Sequence, residues 1–401
     1  MRRARTVVIG LLAVVLMPAS AVAESQYSVK VAEGNYRVTM RFPAPKATSH
    51  VTVKAEGRRL MLESIALPAG KSVTRTVIVN VRSPALAAPP LNAPGASAVR
   101  LKPQELASPT WDDQLTLEFS SEATITPAVS VERVDVPTVY LAGDSTVTDQ
   151  TTPPGASWGQ MLPRFFGPDV AIANHAESGE TLKSFLAELR LDKILETLRA
   201  GDWLLIQFGH NDQKAQWPQT YVEAATTYRA YLRVYIAEAR RRGATPILIT
   251  APERRHFDAN GHIIDSHGEY PSAVRAVARE ESVALIDLHA MSKTFYEALG
   301  PERAPLAFND GGRDLTHHSE YGAYELARMI VAGLRAAGPQ LTANLATHLT
   351  VDAGEFDPAQ PDRPACHTDI DQSRSQYFIS DHLAAMIDPN ERGASCPRAG
   401  K

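Results

Sequence analysis

Two periodicities divide the chain. From residue 24 to about 135, apolar and polar positions alternate. Tyr36, Val38, Met40 and Phe42 alternate with Arg37, Thr39 and Arg41, and Leu115, Leu117 and Phe119 with Thr116 and Glu118. Period two puts one set on a buried face and the other towards water. Shorter apolar runs at Val51-Val53, Val73-Val79 and Val129-Val131 read as further strands, with Glu33-Gly34-Asn35 as a turn. These patterns predict a small all-β sandwich over residues 24–135. Residues 84–95, rich in Ala and Pro, read as a long surface loop.

After Asp135-Val136-Pro137 the pattern changes. Thr138-Val139-Tyr140-Leu141-Ala142 is an apolar, β-prone run ending in Gly143-Asp144-Ser145. Val170-Ala173, Trp203-Phe208, Pro246-Thr250 and Ala284-Asp287 read as similar buried strands. Helical spacing of apolar residues occurs over Leu182-Arg199, Tyr221-Arg242, Tyr270-Glu281 and Ser319-Ala337. Strands alternating with helices predict an α/β unit, a parallel sheet covered on both faces. This unit spans residues 136–340. Asn260-Gly261 reads as a hairpin turn projecting from it. Residues 341–401 are irregular and are expected to form a surface tail.

The N-terminus changes the picture of where the chain works. Arg2, Arg3 and Arg5 precede the apolar run Val7 to Met17, and Ala21-Val22-Ala23 supplies a small-residue cleavage site. This reads as a secretory signal peptide over residues 1–23, too short to span a bilayer. Its removal takes away three arginines and no acidic residue, moving the net charge from −4 to −7. That balance argues against nucleic acid as a partner. The protein is therefore expected to be exported, to the periplasm or beyond, without a membrane span. The two cysteines, Cys366 and Cys396, are expected to pair in that compartment.

Candidate chemistry gathers in the second unit. Ser145 follows the first predicted strand of the parallel sheet, where open α/β sheets place their sites. Asp-Ser after a strand is, in isolation, an ordinary helix cap. Asp314-Leu315-Thr316-His317 adds a carboxylate and an imidazole three residues apart, so the three groups of a hydrolytic triad are present in the order Ser, Asp, His. Asn211, in Gly209-His210-Asn211-Asp212, follows another predicted strand and offers an amide donor. Gly179 follows a third, where a backbone N–H can approach a reacting centre. Arg254, Arg255 and Lys214 also follow strands at the same edge and are candidates for binding an acidic glycan.

These four blocks, in order, resemble the SGNH/GDSL hydrolases. Tyr140-Leu141-Ala142-Gly143-Asp144-Ser145-Thr146, Trp158-Gly159, Asn174-His175-Ala176, Phe208-Gly209-His210-Asn211-Asp212, His267-Gly268-Glu269-Tyr270-Pro271 and Asp314-Leu315-Thr316-His317-His318 resemble the rhamnogalacturonan acetylesterases, carbohydrate esterase family twelve. The resemblance implies a flavodoxin-like three-layer fold for the second unit. It implies Ser145 as nucleophile, His317 as base and Asp314 as its orienter. It implies an oxyanion hole from the Ser145 and Gly179 N–H groups and the Asn211 side chain, with Asp144 supporting the Ser145 loop. No metal or organic cofactor is required. The expected activity is removal of acetyl groups from pectic rhamnogalacturonan, the partner being an acetylated polysaccharide or oligosaccharide. A xylan or general acyl esterase of the same fold, and a non-catalytic glycan-binding protein, are the alternatives. The sequence departs from the family at Glu180 and Lys183, where many members carry arginine.

Overall fold

In a computed structural model, residues 23–337, 345 and 357–359 are described. Cys366, Cys396 and the signal segment before Ala23 lie outside them.

The N-terminal unit is a sandwich of two antiparallel sheets. Strands β1 (Ala23–Lys30), β2 (Gly34–Phe42), β3 (Ser49–Ala55), β4 (Arg59–Leu67), β5 (Val73–Val81), β6 (Gln114–Ser121) and β7 (Ala128–Val134) build it. One sheet runs β1-β6-β3-β4 and the other β5-β2-β7. The predicted alternation is what closes it. Val38, Met40 and Phe42 of β2 bury against Val53, Leu117 and Phe119 of the other sheet, in one apolar core.

The second unit carries β8 (Thr138–Gly143), β9 (Gly155–Ala156), α1 (Trp158–Met161), β10 (Ala171–Asn174), α2 (Leu182–Ala187), α3 (Arg190–Thr197), β11 (Trp203–Gln207), α4 (Arg229–Arg241), β12 (Thr245–Ile249), α5 (Tyr270–Glu280), β13 (Ala284–Ile286), α6 (Leu288–Arg303), β14 (His318–Ser319) and α7 (Glu320–Ala336). Its sheet runs β10-β8-β11-β12-β13, all parallel. This is the flavodoxin-like order, with the first strand between the second and third. Apolar clusters cover both faces, one including α6 and α7, the other α2 to α5. Sites in such sheets lie beyond the strands' carboxyl ends, where Gly143, Asn174 and Gln207 end β8, β10 and β11 side by side.

Two predicted helices are interrupted. Leu182-Arg199 splits because Leu189 takes a left-handed conformation, φ 62°, between α2 and α3. Tyr221-Arg242 begins as a wide turn over Ala224–Tyr228 before α4. The Asn260-Gly261 turn forms, closed by a bridge between Phe257 and Ile263 with Gly261 at φ 81°. β1, β4 and α6 carry less regular patterns and lie outside the sequence expectation.

The two units share a polar seam. The β3–β4 turn enters the α/β unit, where Arg58 donates to the carbonyls of Gln150 and Gly155, both at 3.0 Å. Buried Arg59 meets buried Asp149 at 2.8 Å. Arg58 and Lys54 both reach Glu320, the first residue of α7, at 2.6 and 2.7 Å. Leu60 belongs to the apolar core of the α/β unit.

Candidate active site

The turn after β8 is built around Asp144. Its buried Oδ1 accepts from the N–H and the hydroxyl of Thr146 at 3.0 and 2.8 Å. Burial raises its pKa, against the pull of these bonds. Gly143 is required by contact: a Cβ there would lie 2.5 Å from a Val147 methyl and 2.9 Å from the Gln207 carbonyl. Gln207 and several residues that carry the resemblance support this turn. Gln207 donates to Thr146 Oγ1 at 2.9 Å and accepts from the Trp158 indole at 2.7 Å. Asn174 donates to the Val147 carbonyl at 2.7 Å, and Gly159 lets α1 approach that same oxygen. Together they hold Ser145 buried but reachable, 7% exposed.

His317 reaches Ser145 from the far end of the chain. Its Nε2 lies 2.9 Å from Ser145 Oγ, and its Nδ1 lies 2.8 Å from Asp314 Oδ2. The other Asp314 oxygen accepts from the N–H groups of Thr316 and His317 at 2.7 and 2.9 Å. Burial alone would raise the Asp314 pKa. The two N–H bonds and the imidazole outweigh it, holding the carboxyl below its usual range. A carboxylate there fixes the proton on Nδ1 and leaves the Nε2 lone pair facing the serine. A two-stranded ribbon keeps the partners in place, with β14 pairing to β9, Ser319 against Gly155. His318 points elsewhere, buried with its Nε2 2.6 Å from the Tyr296 hydroxyl.

The expected oxyanion donors sit on the neighbouring loops. Gly179 has φ 81°, a conformation that favours glycine. Among the described residues no hydrogen bond uses the Ser145 or the Gly179 N–H. Asn211 spends one amide proton on the Glu180 carbonyl at 3.1 Å, and its Oδ1 accepts from Lys214 at 2.7 Å. A second amide proton remains. Asp212 ties this turn to the next loop, accepting from Gly209 N–H and Leu182 N–H, each at 2.9 Å. Burial pushes its pKa up to about 7.

The cationic candidates divide. Arg254 donates to the Ser266 and His210 carbonyls, and Arg255 to the Gly312 carbonyl while stacking on Phe308. Both guanidinium groups brace loops. Lys214 lies over the exposed Trp217 ring at 4.7 Å. Lys183 donates to the Pro218 carbonyl at 3.3 Å, and Glu180 is fully buried.

Sequence reasoning left a buried chain unassigned behind the Asn211 turn. His210 Nδ1 meets His267 Nε2 at 3.1 Å, and His267 Nδ1 meets Glu253 Oε1 at 3.1 Å. Glu253 Oε2 lies 2.8 Å from His289 Nε2. Glu253, His267 and His289, with Asp265, bring potential metal-ligand atoms within 4.8 Å of one another. Glu253 Oε1 already accepts from Arg254 N–H, Ser266 N–H and the Ser266 hydroxyl as well. Through Oε1 the cluster ties together the loops carrying His210 and His267, while Glu253 Oε2 and His289 Nε2 make no hydrogen bond among the described residues. The His267-Gly268-Glu269-Tyr270-Pro271 motif was its visible trace.

Residues 141–324 match the model of the GDSL-like lipase/acylhydrolase family. Over 220 residues the chain is 42% identical to the rhamnogalacturonan acetylesterase RhgT of Bacillus subtilis, covering 52% of this chain and 93% of that one. The chain belongs to the GDSL-like lipase/acylhydrolase family. It is a carboxylic ester hydrolase. A second relative, the probable rhamnogalacturonan acetylesterase YesY of the same organism, is 39% identical over 212 residues, 52% of this chain and 96% of that one. Among solved structures, Bacillus subtilis YxiM aligns with a TM-score of 0.48 and 23% identity, covering 79% of this chain and 81% of that one. Among the described residues of this GDSL-like hydrolase, no helix is long and apolar enough to cross a membrane.

Proposed function

We propose that this protein is an exported acetylesterase acting on pectic rhamnogalacturonan through an acetyl-serine intermediate. The observation that carries the mechanism is the aligned set Ser145, His317 and Asp314, with contacts of 2.9 and 2.8 Å. Ser145 gives its proton to His317 Nε2 as its oxygen attacks the ester carbonyl. The tetrahedral oxyanion takes donors from Ser145 N–H, Gly179 N–H and the Asn211 amide. Collapse breaks the bond to the sugar oxygen, which leaves with the imidazolium proton. Water then loses a proton to His317, attacks the acetyl-serine and releases acetate, and Ser145 recovers its proton.

The polymer is assigned from the relatives named rhamnogalacturonan acetylesterase, at 42% and 39% identity. Lys214 over exposed Trp217 supports it, an apolar plate and a cation suited to a sugar ring and a galacturonate carboxylate. In this reading residues 1–23 are removed on export, 24–135 form the sandwich and 136–340 the esterase unit.

Acetate release from acetylated rhamnogalacturonan, acetylated xylan and p-nitrophenyl acetate tests the proposal. The pectic polymer is expected to give the highest kcat/KM of the two polysaccharides, and Ser145→Ala to abolish all three activities. Preference for xylan would replace the polymer assignment. Activity in a folded Ser145→Ala protein would overturn the mechanism.

A further inference from the structure

We infer that Lys102, from the segment between β5 and β6 of the N-terminal unit, is a positioning residue that aims the Gly179 N–H into the oxyanion hole. The inference rests on the acyl-enzyme reading above and adds to it a part from outside the esterase unit.

The argument begins with one peptide plane. The Ser178 carbonyl and the Gly179 N–H belong to the same peptide group, so they point in opposite directions and turn together. The Lys102 ammonium binds the Ser178 carbonyl from one side. The Gly179 N–H is thereby directed to the other side, where no described protein group takes its hydrogen bond. Without that anchor the plane has little to hold it. Gly179 sits at φ 81°, and glycine allows wide rotation on either side of the peptide. A cation on the carbonyl also polarises the amide, which strengthens the N–H as a donor.

The lysine is itself fixed. It pairs with Glu180, so it clasps the chain on both sides of Gly179. A Cβ built on Gly179 would lie 3.8 Å from its Nζ. Glu180 is fully buried, accepts from the Ser184 hydroxyl at 2.6 Å and lies 3.7 Å from Arg190. The Lys102 N–H donates to Glu105 at 2.8 Å, and Glu105 takes a two-point contact from buried Arg190 at 2.9 and 2.5 Å. Gln104 reaches Glu177 at 3.3 Å. The Glu180 carbonyl also receives Asn211, so the two expected oxyanion donors outside the Ser145 turn share one frame. A buried carboxylate needs a cation, and Lys102 and Arg190 supply it. This accounts for a glutamate at position 180.

The test compares full-length wild type with Lys102→Met and Lys102→Arg on p-nitrophenyl acetate, a substrate too small to need glycan contacts. Lys102→Met keeps the stem and loses the ammonium. It is expected to lower kcat by roughly 10- to 100-fold, a partial loss of one oxyanion donor, with KM within about threefold. Lys102→Arg should recover part of the loss. Hydrogen exchange by mass spectrometry should show faster exchange in the peptide covering 175–185 of Lys102→Met. A folded Lys102→Met protein with kcat within about twofold of wild type overturns the inference. So does a loss that Lys102→Arg leaves wholly unrepaired while exchange in 175–185 is unchanged. Ser145→Ala in the same assay separates the two claims: if it stays active, the acyl-enzyme reading fails whatever Lys102 does.

Discussion

Asp314→Asn isolates the orienting carboxylate from the loop it sits in. The amide has two ways to fit. In one, Oδ1 keeps the N–H groups of Thr316 and His317, now held at 2.7 and 2.9 Å, and Nδ2 faces His317 Nδ1. In the other, the oxygen faces the imidazole and the NH2 faces two backbone donors. The first keeps two bonds and the second only one, so the first wins by about 1 kcal/mol for the net bond, with the cost of two stranded backbone donors added to it. In the winning orientation His317 must accept at Nδ1, and its proton moves to Nε2, where the base faces Ser145 at 2.9 Å. A protonated Nε2 cannot receive the serine proton. Comparable tautomer errors lower kcat by roughly 10⁴-fold. At 1.36 kcal/mol per decade that is about 5 kcal/mol of lost transition-state stabilisation. Stability should change far less, since two of three contacts persist. The assay is kcat on p-nitrophenyl acetate between pH 6 and 9, with folding followed by near-UV circular dichroism and Tm. A folded Asp314→Asn protein with kcat within tenfold of wild type would refute the tautomer argument.

His318 gives a pH prediction of the opposite kind, on stability. Burial, then the charge of neighbouring His317, lowers its pKa to about 3. The unfolded chain takes up that proton near pH 6.5, so between pH 6.5 and 3 the folded state holds fewer protons. Stability is full above that window and falls as pH drops through it, by about 2 kcal/mol at pH 5. Tm at pH 7.5 and 5 should therefore differ more for wild type than for His318→Gln; equal differences would reject the assignment. Trp217→Ala should raise KM for the acetylated polymer up to about tenfold, the order of one lost ring contact, and leave p-nitrophenyl acetate turnover unchanged. An unchanged polymer KM would remove Trp217 from the glycan path.

Much of the site was legible because triad chemistry constrains residue types at short spacing. Asp314 and His317 lie three residues apart, and one local turn brings both side chains together, so their spacing, weak by itself, gained meaning from the other blocks and the family resemblance. The parallel sheet was legible from its uninterrupted apolar strands. What stayed hidden depends on contacts between distant segments. Lys102 lies 76 positions before Ser178 and reads as one surface lysine among many. The fate of Arg254 and Arg255 was equally closed to inspection. Their place after a strand made them candidates for binding an acidic glycan, and only the fold shows that they also reach the carbonyls of His210 and Gly312. The break at Leu189 had no signal either, since leucine is an ordinary helix former, yet it takes a left-handed φ of 62°.

The ribbon of β9 and β14 sets the order in which the molecule becomes competent. Ser145 is made in the first half of synthesis and His317 in the last third, and the paired strands Gly155–Ala156 and His318–Ser319 are where these stretches meet. Immediately after the ribbon comes α7, whose Gly322 packs so closely on the Ala307 carbonyl that a Cβ would lie 2.0 Å from it. Glu320 at its start is gripped by Lys54 and Arg58, which the ribosome delivered long before. The stretch that brings His317 to Ser145 thus runs directly into α7, which is docked onto both the α/β unit and the tip of the sandwich. An unfolded chain carries Ser145, Asp314 and His317 and does not bring them together.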